Sequence, residues 1–106
     1  MTPRFQHVVL FNCVAATDED DQRYNLLVAD LITIPGVLSV TGGRINSGDA
    51  DCTHALVVEF TDESAYQLYR PHPTHRRLAD WFAKMSDVMV LDFTAVRHSR
   101  AARPSS

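Results

Sequence analysis

Four short apolar segments rich in valine, leucine and phenylalanine lie along the chain, and turn-forming or charged residues separate them. Apolar runs of this length, bounded by such residues, are typical of β-strands. The pattern predicts strands over residues 4–14, 37–45, 52–60 and 87–96. The first, third and last are apolar on both faces, which indicates that both faces of the sheet are covered.

Two of the intervening stretches place apolar residues at helical spacing. Residues 18–32 begin with four acidic side chains, which favour the positive end of a helix, and Ile-Pro-Gly at 34–36 ends the pattern. Residues 61–85 carry a second helical pattern that Pro71 and Pro73 interrupt. Because proline is tolerated in the first turn of a helix but not in its interior, we expect two consecutive helices there.

The resulting order of elements, β-α-β-β-α-β, is that of a ferredoxin-like α+β fold. This fold has the sheet order 4-1-3-2, with the first strand antiparallel to the third and fourth and with helices on one face. The apolar character of the opposite face then predicts a homodimer in which two sheets pack face to face.

Composition and charge narrow the class of protein. With 106 residues the chain suffices for one domain, which we place at residues 1–97, followed by a flexible tail over 98–106. The formal net charge of −3, without a basic stripe in the domain, argues against a nucleic-acid partner. No apolar segment reaches the ~18 residues of a membrane helix, and residues 1–12 lack the features of a signal peptide. We therefore predict a cytoplasmic protein without a membrane partner.

Pairing of the first and third strands predicts where two histidines and both cysteines lie. If the strand ends align, Cys13 lies near Cys52, and neither suggests a disulfide framework, since cytosolic thiols are kept reduced. On the same register His7 lies opposite residues near 58, and His54 lies near Phe11. The two histidines are then roughly 15 Å apart at ~3.4 Å per residue, too far to act on one atom.

The segment YRPHPTHRR, residues 69–77, concentrates protonatable rings at the proline break. It follows the third strand, so it should lie at the same end of the sheet as His7, and the break can turn both Tyr69 and His75 inward. A phenol hydrogen-bonded to an imidazole would fix the tautomer of His75, a side chain suited to moving protons near neutral pH. The sequence therefore predicts a site made of His75, Tyr69 and His7. Its predicted apolar walls come from the strands and the last helix: Val9, Phe11, Leu56, Val58, Leu78 and Trp81.

Structural interpretations compete with these catalytic ones. A Tyr-His pair at a helix junction often only satisfies its own hydrogen bonds. His72 is suited to stabilising the proline-bounded turn, and His54 to a core or interface position, so both are secondary site candidates. A metal site at His72 and His75 is disfavoured, because no third ligand is suitably spaced and the kink misplaces the rings. We predict neither a metal nor another cofactor.

Five motifs occur in order along residues 4–97: HVVLF (7–11), IPGVLSV (34–40), THALVVEF (53–60), YRPHPTH (69–75) and VMVLDF (88–93). Together they resemble the stress-responsive α/β-barrel (Dabb) domain family. The resemblance implies a dimeric α/β barrel with a pocket between helices and sheet. The family includes plant stress proteins and polyketide cyclases of the olivetolic acid cyclase type, in which a Tyr-His pair promotes an intramolecular aldol closure. By this resemblance Tyr69 is the tyrosine and His75 the base, and His7 and His54 match two further histidines.

Two predicted substrate-binding residues depart from the cyclase pattern. Leu27 lies where the first helix of the cyclases lines the pocket with aromatic residues. Arg70 follows Tyr69 at a position where an apolar residue would suit a hydrophobic substrate. A guanidinium at this position can instead hold a carboxylate or a phosphate.

The resemblance implies three alternative functions. The first is a cofactor-free cyclase, lyase or isomerase acting on a small hydrophobic or aromatic carbonyl compound. In it His75 takes a proton from carbon, Tyr69 orients His75 or stabilises the enolate, and His7 binds a distal oxygen. The second is a non-enzymatic stress-response or small-molecule-binding dimer. The third is a cofactor-independent monooxygenase, as in related dimeric barrels, although the order of His75 and Trp81 along the chain does not match.

Overall fold

The computed structural model describes residues 4–12, 18–46, 52–84, 86–96 and 100. Within them the elements follow the predicted order: β1 Arg4–Asn12, α1 Asp18–Asp30, a 3₁₀ turn Leu31–Thr33, β2 Val37–Arg44, β3 His54–Phe60, α2 Glu63–Tyr69, α3 Pro73–Phe82 and β4 Ser86–Ala95. The predicted approach of Cys13 to Cys52 and all of the predicted tail except Arg100 lie outside the described residues.

The described strands form one antiparallel sheet in the order β2-β3-β1-β4, which is the predicted 4-1-3-2 order. β1 pairs with β3 so that His7 lies opposite Val58 and Phe11 lies opposite His54, as the register predicted. The other edge of β1 pairs with β4, which places Asp92 opposite His7. The predicted ferredoxin-like α+β class is thus confirmed.

The core lies between the sheet and the helices. Along β1, the alternate residues Phe5, Val9 and Phe11 are at most 7% exposed, because the period of two directs them to the helix side. All the apolar residues predicted as pocket walls belong to this core: Val9, Phe11, Leu27, Leu56, Val58, Leu78 and Trp81. They form part of one cluster of buried side chains.

The first helix is shorter than predicted. α1 ends at Asp30, and the chain continues in the 3₁₀ turn Leu31–Thr33. Pro35 disfavours a helical conformation at the residue before it, and Ile34 is indeed extended, with φ −73° and ψ 127°. Ile34 still packs in the core at 3% exposure. None of the described helices is long and apolar enough to cross a bilayer.

A side-chain cap begins each of the two helices α2 and α3. The Asp62 carboxylate caps α2 by accepting a backbone N–H of its first turn at 2.8 Å. Pro73 occupies the first turn of α3, as predicted. The His72 Nδ1 accepts the Thr74 N–H at 3.2 Å, so this histidine caps α3 and stabilises the turn.

A glycine allows α2 to approach the start of β2. Gly36 has a φ of +90°, a conformation that L-residues rarely adopt. A Cβ at this position would lie only 2.6 Å from the Cβ of Ala65 in α2. The Gly36 carbonyl also accepts the Thr61 N–H at 3.0 Å, which ties the β2 end to the chain entering α2.

The sheet face away from the helices exposes apolar residues of β4. Leu91 pairs with Val8 and Met89 pairs with Leu10, so these side chains share that face. Met89, Leu91 and Phe93 are 53%, 50% and 51% exposed. The apolar second face that the sequence predicted is therefore present.

Candidate active site

His75 lies in the first turn of α3 and is half-buried. Its Nδ1 lies 2.8 Å from the carbonyl oxygen of Arg70. A carbonyl can only accept, so Nδ1 carries a proton and donates it. In the neutral ring the lone pair is then on Nε2, and this nitrogen has no hydrogen-bond partner among the described residues.

Burial lowers the pKa of His75 below its ordinary value of 6.5, and the charges of His7, Arg70 and Arg76 act in the same direction. The hydrogen bond to the Arg70 carbonyl opposes this shift because it favours the protonated ring. The imidazole is therefore neutral at neutral pH, which is the form that accepts a proton.

Tyr69, the last residue of α2, packs against the His75 ring. The two ring centroids are 4.3 Å apart and the planes are inclined by 38°. The hydrogen bond that the sequence suggested between them is not formed, and within the described residues the Tyr69 hydroxyl has no hydrogen-bond partner. Burial, followed by the nearby Tyr66, raises the pKa of Tyr69, so the phenol stays protonated. Its ring positions and desolvates the imidazole.

His7 lies behind Tyr69, in the middle of β1, and is only 6% exposed. Its ring centroid is 6.0 Å from that of Tyr69. Its Nδ1 donates to the Oδ1 of Asp92 on β4, and the Tyr66 hydroxyl donates to the Oδ2 of the same carboxylate at 3.1 Å. The structure therefore brings His75, Tyr69 and His7 together as consecutive neighbours, and His7 in turn contacts the partly exposed carboxylate of Asp92.

Sequence reasoning missed Asp92 and Tyr66. Asp92 interrupts the apolar run of β4 at a position that the antiparallel register places opposite His7. A carboxylate on the core side of a strand is unusual without a partner, and this was the available signal. Tyr66 lies in α2 and stacks on Phe5 at 4.8 Å, so its ring is part of the packing and its hydroxyl reaches Asp92.

A pocket of about 480 Å³ opens where α2 and α3 meet. Its lining is mostly polar and comes from both helices and their junction: Gln67, Arg70, Pro71, His75, Arg76, Ala79 and Asp80. Two predicted site residues, His75 and Arg70, reach this pocket. The predicted apolar walls do not, because α3 turns Leu78 and Trp81 into the core and presents its polar side to the pocket.

The remaining candidate histidines lie apart from this group or cap a helix. His54 stacks on Phe11 with centroids 5.2 Å apart, and its Nδ1 lies 2.7 Å from the Thr53 hydroxyl. Burial lowers the pKa of His54, as does the charge of Arg44. The register sets His54 opposite Phe11, four residues along β1 from His7. Among the described residues, no group of three or more His, Cys, Asp or Glu side chains is placed to hold a metal ion.

The sheet order and the helices over one face define a ferredoxin-like α+β domain. More particularly, residues 5–95 match the stress responsive A/B barrel domain, Dabb, and the chain belongs to this family. The resemblance seen in the sequence motifs is confirmed. A search of curated protein sequences gave no match.

Solved structures share the fold at low sequence identity. A hydroxynitrile lyase from Passiflora edulis is 16% identical, with a TM-score of 0.80 over 94% of this chain and 100% of that one. A dimeric ferredoxin-like protein of unknown function from Thermobifida fusca YX is 21% identical, with a TM-score of 0.76 over 90% and 93%. SnoaB, a cofactor-independent oxygenase from Streptomyces nogalater, is 20% identical, with a TM-score of 0.72 over 91% and 96%.

Proposed function

We propose that this protein is a cofactor-free enzyme that transfers a proton next to a carbonyl group, as a cyclase, lyase or isomerase does. The observation that carries the proposal is the state of His75. Its Nδ1 is committed to the Arg70 carbonyl, its Nε2 is free among the described residues, and its ring borders a pocket. A neutral, oriented imidazole beside a ligand-sized space is what general base catalysis requires.

In the proposed reaction Nε2 of His75 takes a proton from the carbon next to the substrate carbonyl. The C–H bond breaks, its electron pair forms the enolate, and the negative charge moves to the carbonyl oxygen. The enolate carbon then attacks a second carbonyl of the same molecule or is reprotonated elsewhere. The imidazolium returns its proton to the oxygen or carbon that receives the charge, so no external reductant or oxidant is needed.

The groups behind His75 support this role without contacting the substrate in our proposal. The Tyr69 ring holds the imidazole from one side at 4.3 Å. His7, held by its hydrogen bond to Asp92, lies behind Tyr69 and adds a polar group on the side away from the pocket. A more specific version of this proposal is a polyketide cyclase that acts by aldol closure. Among the proteins that share the fold, one is described as a cofactor-independent oxygenase and another as a hydroxynitrile lyase, so the fold can support an enzyme that needs no cofactor.

Enolisation can be tested before the natural substrate is known. We would incubate the protein with phenylacetone in D₂O and follow the loss of the protons next to the carbonyl by ¹H NMR. The wild-type protein should exchange these protons faster than buffer alone. His75→Gln should lower the rate of the protein-catalysed exchange about 10²-fold or more, the usual contribution of a general base. Glutamine keeps a donor for the Arg70 carbonyl, so the junction should stay folded.

His72→Asn is the matched control for this test. Asparagine retains the cap of α3 and removes a second imidazole only three positions away in the chain. This variant should exchange like the wild type. Equal exchange in wild type, His75→Gln and buffer would refute the enzyme proposal and favour a small-molecule-binding protein. Oxygen uptake with phenolic substrates would instead favour the oxygenase alternative.

We also propose that two copies associate through the sheet face away from the helices. Its exposed apolar residues on β4 are Met89, Leu91 and Phe93, and such a patch usually marks an interface. The related protein from Thermobifida fusca is described as dimeric. Light scattering after gel filtration should give a dimer for the wild type and a monomer for Phe93→Asp. Leu68→Asp, which changes a 73% exposed leucine on α2, should remain dimeric, and a monomeric wild type would contradict the proposal.

A further inference from the structure

The pocket beside His75 carries more positive than negative charge. Arg70 and Arg76 contribute two cations to its lining, and Asp80 contributes one anion, which gives a net charge of +1 with His75 neutral. The whole chain has a formal net charge of −3. The pocket lining is therefore positive although the whole chain is negative, and this local positive charge favours an anionic ligand.

The two guanidinium groups are not engaged by acidic side chains of the described residues. The ion pairs found there join Arg4 to Glu59 and His7 to Asp92. Arg70 and Arg76 nevertheless lie close enough to the imidazole to act on the His75 pKa, after the larger effect of burial. The cations and the free imidazole nitrogen thus belong to one site.

Chain geometry explains why the cations and the base occur together. Arg70 follows the last residue of α2 directly, and its own carbonyl holds the His75 ring. Arg76 is the next residue after His75 on α3. Asp80 follows Arg76 by four positions, one helical turn further along α3, so it lies on the same side of the helix. An elongated ligand would contact the two arginines near His75 and would contact Asp80 one helical turn further along α3.

We propose that the pocket takes a keto acid, an organic carbonyl compound whose carboxylate is held by Arg70 and Arg76. Guanidinium groups bind carboxylates through paired hydrogen bonds, which fix orientation as well as position. A net charge of +1 in the lining suits one carboxylate better than a phosphate dianion. The position of the ligand's carbonyl beside His75 rests on the function proposed above. The contact between the ligand's carboxylate and the two arginines does not rest on that function.

The test measures binding without turnover. We would titrate ¹⁵N-labelled protein with 3-benzoylpropionate, a stable aromatic keto acid, and with its uncharged amide, and follow the backbone amide signals of residues 67–80. The keto acid should shift these signals and bind about tenfold or more tightly than the amide, as expected for a charge-assisted contact. Arg70→Met and Arg76→Met should each weaken keto acid binding by about tenfold.

Arg77→Met is the matched control, because Arg77 is an exposed arginine of α3 that does not line the pocket. It should bind the keto acid like the wild type. Equal affinity for acid and amide in the wild type overturns the proposal without relying on any variant, as does an absence of shifts in residues 67–80. Tighter binding of inorganic phosphate than of the keto acid would overturn the assignment of a carboxylate. The enzyme proposal fails separately, by the absence of His75-dependent exchange.

Discussion

Replacing Tyr69 separates two roles that a tyrosine beside a histidine can have. A catalytic phenol donates a hydrogen bond to the developing oxyanion, whereas a positioning ring only packs against the base. In this structure the Tyr69 ring is 4.3 Å from the His75 ring, and its hydroxyl has no partner among the described residues. We therefore expect the ring, and not the hydroxyl, to matter for the proton transfer assigned to His75.

The expected magnitudes follow from burial. Tyr69 is 1% exposed and is among the largest fully buried side chains. Tyr69→Ala should cost about 3–5 kcal/mol of unfolding free energy, as for other buried aromatic residues. At about 4–8 °C per kcal/mol, this lowers Tm by roughly 12–40 °C. Tyr69→Phe keeps the ring and removes a hydroxyl that has no described hydrogen bond, so its stability should differ little from that of the wild type.

The two variants are compared by thermal melting, followed by circular dichroism, and by the deuterium exchange assay. Tyr69→Phe should retain exchange within about tenfold of the wild type, because losing a true oxyanion donor costs about 10²–10³-fold. A hundredfold loss in a Tyr69→Phe protein that melts normally would refute the positioning role and make the hydroxyl catalytic. A Tyr69→Ala protein as stable as the wild type would refute the packing argument.

Three further predictions concern pH and local structure. The exchange rate should rise with pH through an inflection below 6.5 and then level off, because burial lowers the pKa of His75 and only the neutral ring accepts a proton; an inflection above 6.5 would contradict this. Gly36→Ala should lower the free energy of unfolding, measured in urea, by about 1–2 kcal/mol through left-handed backbone strain and by about 1–3 kcal/mol through the clash with α2. Gly43→Ala, whose Cβ would meet nothing within 4 Å, is its control and should be close to neutral. Asp62→Ala should lower the unfolding free energy measured in urea by about 1 kcal/mol, and Asp62→Asn should lower it by less, since asparagine also caps helices. Equal losses in the two variants would argue against the cap.

The fold was predictable because its signals are local. The apolar runs give the strands, and Pro73 marks the start of α3 as a first-turn residue. The pairing of His7 with Val58 followed from aligning two strand ends. The sequence pattern did not predict where α1 ends. Pro35 disfavours a helical conformation at Ile34, and the chain before Ile34 forms a 3₁₀ turn instead of a last α-helical turn.

The sequence named His75, Tyr69 and His7, which lie next to one another in the structure, but it did not predict how they are arranged. His75 and Tyr69 come from adjacent helices, so sequence proximity brings their rings together. The contact of His7 with Asp92 joins positions 85 residues apart and depends on the second pairing of β1, whose register was not worked out from the sequence. The residues predicted as apolar walls lie in the core, and sequence pattern identifies buried residues without distinguishing a packed core from a cavity lining.

The position of β1 in the middle of the sheet has a consequence for synthesis. β1 is made first among the described strands, yet one of its two neighbours, β4, is made last. A nascent chain therefore carries β1 with an unpaired edge until β4 has been synthesised, and such edges recruit other strands. Contacts over this separation also raise the contact order and slow folding. Ribosome-bound chains interrupted before β4 should thus depend on chaperones, and the carboxylate partner of His7 arrives only as folding is completed.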